Sequence, residues 1–264
     1  MLRDLLAHPL TRGLDLDDPA TTRLRRRIIR DKPFLRAIYD EWYAALARQL
    51  PGEADVPGWA LELGSGAGYL DEVVPRLITS DVFTCPGLKL VADARRMPLP
   101  DASLRGVAMV DVLHHVPGVE DFFAEATRVV KVGGAVVMIE PWVSRWSTWV
   151  YRNLHHEPFR PDAADWSIPA TGPLSGANGA LPWLIFVRDR ERFEREFRGW
   201  RIETLRPLMP LRYLVSGGVS MRSLAPGWST PLWRLAESAA GLGRGRNAMF
   251  VNVVLRRVAE SSYP

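Results

Sequence analysis

The run Glu62-Leu63-Gly64-Ser65-Gly66-Ala67-Gly68 is the part of this sequence best suited to chemistry. Glycines at 64, 66 and 68 let a chain turn sharply and let a ligand approach the backbone without meeting a Cβ. Glu62 sets a carboxylate just before the turn, and Ser65 and Ala67 lie within it. Two further apolar runs end in acids: LITSD at Asp81, and GLKLVADA at Asp93, with Ala94 behind it. A carboxylate can accept from both hydroxyls of a ribose or from an adenine amino group, and neither contact needs a phosphate. A dinucleotide fingerprint would carry its third glycine at 69, where Tyr69 stands.

Histidine is the side chain that takes a proton near neutral pH, and there are five. His114 and His115 follow the run RGVAMVDVL; either ring could instead be structural, tied to a backbone carbonyl. His155 and His156 stand in HHEP, with Glu157 and Pro158 behind them. A helix C-terminus explains that motif equally, with histidine near the last carbonyls and proline as the stop. Adjacent histidines on a helix point ~100° apart, so His155, His156 and Glu157 are not expected to chelate one ion. No metal is expected.

These groups need a scaffold, and the patterning supplies one. Residues 34–50 carry Phe34, Leu35, Ile38, Trp42, Leu46 and Leu50 at helical spacing. PGEADVPG breaks that pattern. WALEL reads as a strand, YLDEVVPRL as a short helix, LITSD, GLKLV and RGVAMV as strands, VEDFFAEATRVV as an amphipathic helix, and AVVMIEPW as a strand. The β-branched runs are too apolar for one-sided burial, which argues for a mostly parallel sheet covered on both faces. Residues 144–156 read as helix, 157–187 as loop, and RDRERFEREF as a charged helix. WRIETLRPL and AMFVNVVLRRV read as late strands, with a helix near TPLWRLAESAA between them.

Composition narrows the classes. The chain has 264 residues, 47% hydrophobic and 24% charged, as expected of a folded globular protein. No stretch approaches the ~18 apolar residues of a membrane span. The start, MLRDLLAHPLTRGLDLDDP, lacks a continuous apolar core, so a secretory signal is not expected. A single cysteine, Cys85, excludes an intrachain disulfide and a cysteine-based zinc site, and a cytoplasmic location is expected. The net charge of +4 is concentrated in Arg23, Arg25, Arg26, Arg27 and Arg30, which reads as a solvated helix face; no nucleic acid is expected. Most of the ten tryptophans lie after residue 140, which suggests an apolar pocket, an interface or simple core packing there.

The motifs together resemble a class I S-adenosylmethionine-dependent methyltransferase of the methyltransferase type 11 family. The residues that carry the resemblance are ELGSGAG (62–68), TSD (79–81), ADARRMPLPDASL (92–104), VDVLHHV (110–116) and RVVKVGGAVVMIEP (128–141). It implies an α/β fold with a Rossmann-like, doubly wound, mostly parallel seven-stranded sheet and a late antiparallel strand. An N-terminal helical cap over 1–52 would precede a methyltransferase domain over 53–264, with substrate-side insertions at about 157–187 and 209–246. S-adenosyl-L-methionine is the implied cofactor. Glu62, Gly64, Ser65, Gly66 and Gly68 would hold its amino-acid end, Asp81 its ribose, and Asp93 and Ala94 its adenine. Backbone near Val110, Asp111 and Leu113 would lie beside its methionine moiety. Two departures stand out: only VFTCPGL separates the second and third strands, where relatives have a helix, and Leu104-Arg105 replaces a common Phe-Asp.

Methyl transfer needs an acceptor in position and, for a poor nucleophile, a base. The expected acceptor is a small or medium organic molecule, apolar or sugar-linked, methylated at oxygen. The candidate bases are His155 and His156, ahead of His115, because the later pair adjoins the insertions. The acceptor pocket is expected between HHEP and the loops around 170–182 and 216–220. A weak peripheral membrane contact would suit the arginine run and the late tryptophans. The alternative is a non-catalytic binding or scaffold protein on the same fold.

Overall fold

The computed structural model describes residues 19–259, except Ala67, His156, 169–171, 173–175, 240–244 and 246. Two helices come first, α1 (Pro19–Asp31) and α2 (Pro33–Gln49), each opened by a proline whose missing N–H costs nothing at a helix start. Then come β1 (Trp59–Leu63), β2 (Leu77–Asp81), β3 (Leu90–Val91), β4 (Leu104–Val110), α3 (Val119–Val129), β5 (Val130–Pro141) and α4 (Arg145–Leu154). The later part holds α5 (Leu181–Trp183), α6 (Arg190–Glu196), β6 (Trp200–Leu208), α7 (Arg212–Ser216), α8 (Thr230–Ala239) and β7 (Phe250–Arg257).

The seven strands form one sheet in the order β3-β2-β1-β4-β5-β7-β6. β7 runs antiparallel to both of its neighbours, and the other pairs are parallel. This is the doubly wound sheet with a late antiparallel strand that the resemblance implied. Chain order reverses between β1 and β4, and ligands in such sheets bind beyond the carboxyl ends of the strands at that point. The register sets Glu62 beside Thr79 and Ala108.

Side-chain alternation sorts the strands into two cores. Leu61, Leu63, Val107, Met109, Val136 and Met138 face α3, α5 and α6. Ala60, Ala108, Ala135, Val137 and Ile139 face α2 and α4. The small residues on the second face let α2 lie close to the sheet. Glu62 shares the face of Ala60, so the period of two aims its carboxylate toward the N-terminal helices.

Three local readings are corrected. YLDEVVPRL forms only a 3₁₀ turn at Leu70–Glu72, because Pro75 lacks a donor and restricts Val74. The third strand shrinks to two residues; between it and β2 no helix intervenes, as the short VFTCPGL link led one to expect. Within 157–187, residues Leu181–Trp183 are helical and continue into one wide turn at Leu184–Arg188, a helix obscured in the sequence by Pro182. The Leu104-Arg105 departure has a physical account: buried Arg105 donates to the carbonyls of Pro51 (2.7 Å) and Pro75 (2.8 Å), tying two loops beneath the sheet. Among the described residues no helix is long and apolar enough to cross a membrane.

The tryptophans divide. Trp166 and Trp200 are fully buried, whereas Trp228 is 76% exposed. Burial makes opposite demands on two aromatic positions. Phe123 is fully buried and packs on Phe186, Phe193 and Phe197. Phe123→Ala should cost about 3–5 kcal/mol in urea unfolding. Trp228→Ala should stay within about 0.5 kcal/mol of the parent. Equal losses at both positions would contradict this packing.

Candidate functional site

The glycine turn is shaped from below and above. Gly64 sits at φ +68°, and a Cβ there would lie 2.4 Å from the Val112 side chain. Below, Ser65 N–H donates to the Ser80 carbonyl (2.8 Å), and Ser80 N–H donates to Ser65 Oγ (3.1 Å). Gly66 N–H donates to Asp81 Oδ2 (3.1 Å), so the acid ending β2 already braces the turn. Above, a Cβ on Gly66 would come within 2.3 Å of Thr22 on α1, and one on Gly68 within 2.4 Å of the Tyr43 hydroxyl on α2. The N-terminal helices therefore press directly on the turn.

A cavity of about 600 Å³ runs from this turn past the ends of β4 and β5. Glu62, Gly64, Gly66, Gly68, Asp81, Asp93, Ala94 and Asp111 all line it. Ser65 braces the turn from behind. Leu113 is fully buried in the core, and its N–H donates to Glu140, so the structure does not bring it to the cavity. Val112 lines the wall in its place. Asp93 lies at the rim, gripped by Arg95 through Nε (3.0 Å) and Nη2 (2.6 Å).

Two carboxylates in the cavity are poorly answered. Glu62 Oε2 and Asp111 Oδ1 are shielded from solvent and have no hydrogen-bond partner among the described residues. Burial pushes the pKa of each up to about 7. Asp111 also adopts φ +56°, a left-handed conformation that aspartate tolerates better than most residues.

A histidine–carboxylate cluster stands beyond them. A 3₁₀ turn, Leu113–His115, brings two adjacent imidazoles to a centroid separation of 4.2 Å. Glu140, fully buried on β5, accepts from Val112 N–H (2.9 Å), Leu113 N–H (2.8 Å) and His114 Nδ1 (2.7 Å). His114 Nε2 lies 3.5 Å from Glu157. Burial alone would lower the pKa of His114, but its bonds to Glu140 and Glu157 outweigh that and hold it at about 10. His114 is therefore charged. Burial and that neighbouring charge push His115 down to about 3, so His115 is neutral. Burial would raise Glu157, but the His114 hydrogen bond and the surrounding imidazoles outweigh it and hold the carboxyl well below its ordinary range.

Tautomers follow from the partners. His115 Nδ1 faces the Gly176 carbonyl (3.1 Å), which can only accept, so Nδ1 carries the hydrogen. His115 Nε2 keeps its lone pair, 3.8 Å from Glu157 Oε1. His155 is arranged the other way. Its Nδ1 accepts from Glu157 N–H (3.3 Å), so a neutral ring carries its hydrogen on Nε2. Both rings line the cavity. His156 lies outside the described residues.

The expectation of no metal was argued for His155, His156 and Glu157. The structure gathers a different trio, His114, His115 and Glu157, with donor atoms within 4.8 Å of one another. That set is capable of ligating a cation once His114 Nε2 gives up its proton.

Several lining residues escaped the sequence reading. Thr22 and Arg25 reach the cavity from the arginine-rich helix. Glu140 had a visible signal, an acid inside the otherwise apolar run VVMIEP. None of the tryptophans lines the cavity.

Comparison with known proteins agrees with this geometry. Residues 61–138 match the family model described as a methyltransferase domain, type 11. Residues 61–138 thus form a methyltransferase domain, for which S-adenosylmethionine is the cofactor. Comparison with curated proteins gave no match. Among solved structures, geranyl diphosphate C-methyltransferase from Streptomyces coelicolor A3(2) is similar at a TM-score of 0.53 and 14% identity, covering 96% of this chain and 89% of that one. A geranyl diphosphate methyltransferase in complex with SAM matches at TM-score 0.52 and 16% identity, covering 94% of each chain. A chain from the Haloferax volcanii complex of the Trm112 methyltransferase activator with a methyltransferase matches at 0.51 and 13%, covering 89% and 93%. At these identities the likeness is one of fold.

The cavity suits that cofactor chemically. The open carboxylate oxygens of Glu62 and Asp111 would answer an ammonium and a sulfonium charge, and the glycine turn leaves backbone accessible.

Two pH dependences follow. Glu62 and Asp111 ionise as pH rises through about 7. Affinity for the cationic cofactor should therefore tighten by about tenfold between pH 5.5 and 7.5 in calorimetry. S-adenosylhomocysteine, without the sulfonium charge, should respond less; identical profiles would contradict the assignment.

The second concerns stability. The folded pKa of His114 lies above its unfolded value, so its contribution is complete below about pH 6.5 and is lost as pH rises through about 10. The melting-temperature advantage of the parent over His114→Gln should shrink across that window. An advantage that grows with pH would contradict the charged state of His114.

Proposed function

We propose that this S-adenosylmethionine-dependent methyltransferase methylates an oxygen of an acceptor with an apolar body, and that His115 is its base. The observation that carries the reading is the neutral His115 ring, with Nδ1 committed to Gly176 and its Nε2 lone pair left opposite Glu157. The cofactor supplies an electrophilic methyl group. This chain's residues must then hold a hydroxyl in line and receive its proton.

So low a pKa makes His115 a weak base, able to act only late in the transfer. A neutral hydroxyl is hardly acidic, but its oxygen would gain positive charge as the new C–O bond forms and the methyl–sulfur bond breaks, with S-adenosylhomocysteine as the leaving group. The proton then becomes acidic enough for a weak imidazole to take it at Nε2. Glu157 balances the resulting imidazolium, and Gly176 fixes the ring. His155 is less suited, because its Nδ1 lone pair is engaged by Glu157 N–H. The expected order of bases is thus reversed in this proposal.

The acceptor class rests on the walls. Beyond the cluster they are apolar or aromatic, including Val150, Leu154, Tyr213, Leu214, Met249 and Phe250. Among the described lining residues the lysine and arginine side chains are Arg25 and Arg95, and Arg95 is committed to Asp93. A phosphate-bearing acceptor such as geranyl diphosphate would find little charge to meet it. A hydroxyl on a lipid-like, aromatic or sugar-linked body fits better.

The test is release of S-adenosylhomocysteine with a panel of such alcohols and phenols, followed by mass analysis of the product. His115→Ala should lose about 10²–10⁴ in kcat while keeping cofactor affinity. His155→Ala should lose far less. The opposite order would transfer the role to His155, and full activity in both would mean that positioning alone suffices. No turnover with any acceptor, despite cofactor binding, would favour the scaffold alternative.

A further inference from the structure

The C-terminal insertion carries a helix with an exposed apolar stripe. A 3₁₀ turn, Gly227–Ser229, leads directly into α8. Trp228, Leu232 and Leu235 are spaced i, i+4 and i+7, so they form one stripe, and they are 76%, 60% and 67% exposed. The inward face sets Trp233, half-buried against the core, among buried polar groups. Ser229, Thr230 and Glu237 are buried, and Glu237 accepts from Arg212 Nε (2.6 Å) and from the N–H groups of Leu211 and Arg212. A segment that buries a paired carboxylate while Trp228, Leu232 and Leu235 face water departs from the arrangement that folding alone would favour.

The stripe adjoins the most basic segment of the chain. Gly227 packs against Pro33 so closely that a Cβ would lie 2.5 Å from it. Lys32, the residue joining α1 to α2, donates to the carbonyls of Gly218 (2.5 Å) and Met221 (2.9 Å). The insertion is thus stapled to the end of α1, where Arg23, Arg26, Arg27 and Arg30 line one shallow cleft with Asp31; Arg27 pairs with Asp31 and Arg30 with Glu72, and the four arginines still leave the cleft net positive. Both parts also wall the cavity, α1 through Thr22 and Arg25, the insertion through residues 217–221.

We infer that α8 and α1 together dock this enzyme on an anionic lipid surface, with the acceptor cavity bordering the contact. Leucines and a tryptophan on one helical face suit the boundary between headgroups and acyl chains. Arginines beside them suit phosphate-bearing headgroups. The inference draws its purpose from the apolar-acceptor reading but its existence from the helix alone, so binding and turnover fail separately.

Flotation of the full chain with phosphatidylcholine vesicles, with and without phosphatidylglycerol, tests it. The parent should float with anionic vesicles at low salt and be released as salt rises. Trp228→Glu with Leu232→Glu should cut retention by about tenfold or more. Arg23→Glu with Arg27→Glu should weaken binding to anionic vesicles specifically. Circular dichroism melts establish that each variant is folded. Absence of retention at every salt and composition, or retention indifferent to the Trp228 and Leu232 changes, overturns the inference. So does a concentration-dependent dimer in light scattering that the same changes abolish, since a second copy would then cover the stripe.

Discussion

A single buried carboxylate organises the reacting end of this molecule. Glu140 sits at zero exposure on β5, the strand beside β4. An unpaired charge there would be prohibitive. It is answered by two backbone amides and by the charged His114 ring. Those three bonds fix the turn that leaves β4. They also decide which imidazole is charged. Because His114 holds the proton between Glu140 and Glu157, His115 beside it stays neutral. Acid–base character at the cavity is thus set one layer behind the cavity wall.

The same cluster depends on a long excursion of chain. Glu157 follows α4, and the segment after it folds back through Asn178, which is fully buried. Asn178 N–H donates to the His114 carbonyl (3.0 Å), and its Oδ1 accepts from Arg160 N–H (2.9 Å). Loss of that amide would leave several buried backbone groups without partners, a cost of about 1–3 kcal/mol each. The loop is therefore a structural part of the site rather than a decoration on it.

Sequence patterning reached the sheet, and it reached the glycine turn, because both depend on local rules. An acid directly before the turn marked Glu62, and glycine spacing distinguished the turn from a dinucleotide site. The cluster was not legible in the same way. Adjacent histidines diverge on an α-helix, but His114 and His115 occupy a tighter turn, and Glu157 meets them only through a connection more than forty residues downstream. The preference for His155 rested on its proximity to the insertions; what changes the argument is a tautomer, set by a backbone N–H that no spacing rule reveals. Tryptophan abundance was ambiguous for a plainer reason. The same side chain serves a core, as Trp166 and Trp200 do, or a surface, as Trp228 does.

The missing helix before β3 has a consequence at the rim of the sheet. Every open sheet exposes two unpaired edges, and a long, flat, apolar edge invites another chain to pair with it. Here one edge strand is two residues long, too short to template a neighbour. The opposite edge, β6, runs nine residues but carries Arg201, Glu203 and Arg206 exposed, and Pro207 withholds a donor. One rim is guarded by brevity and the other by charge and proline. The chain can therefore shorten the cofactor side of its fold without becoming prone to edge-to-edge aggregation.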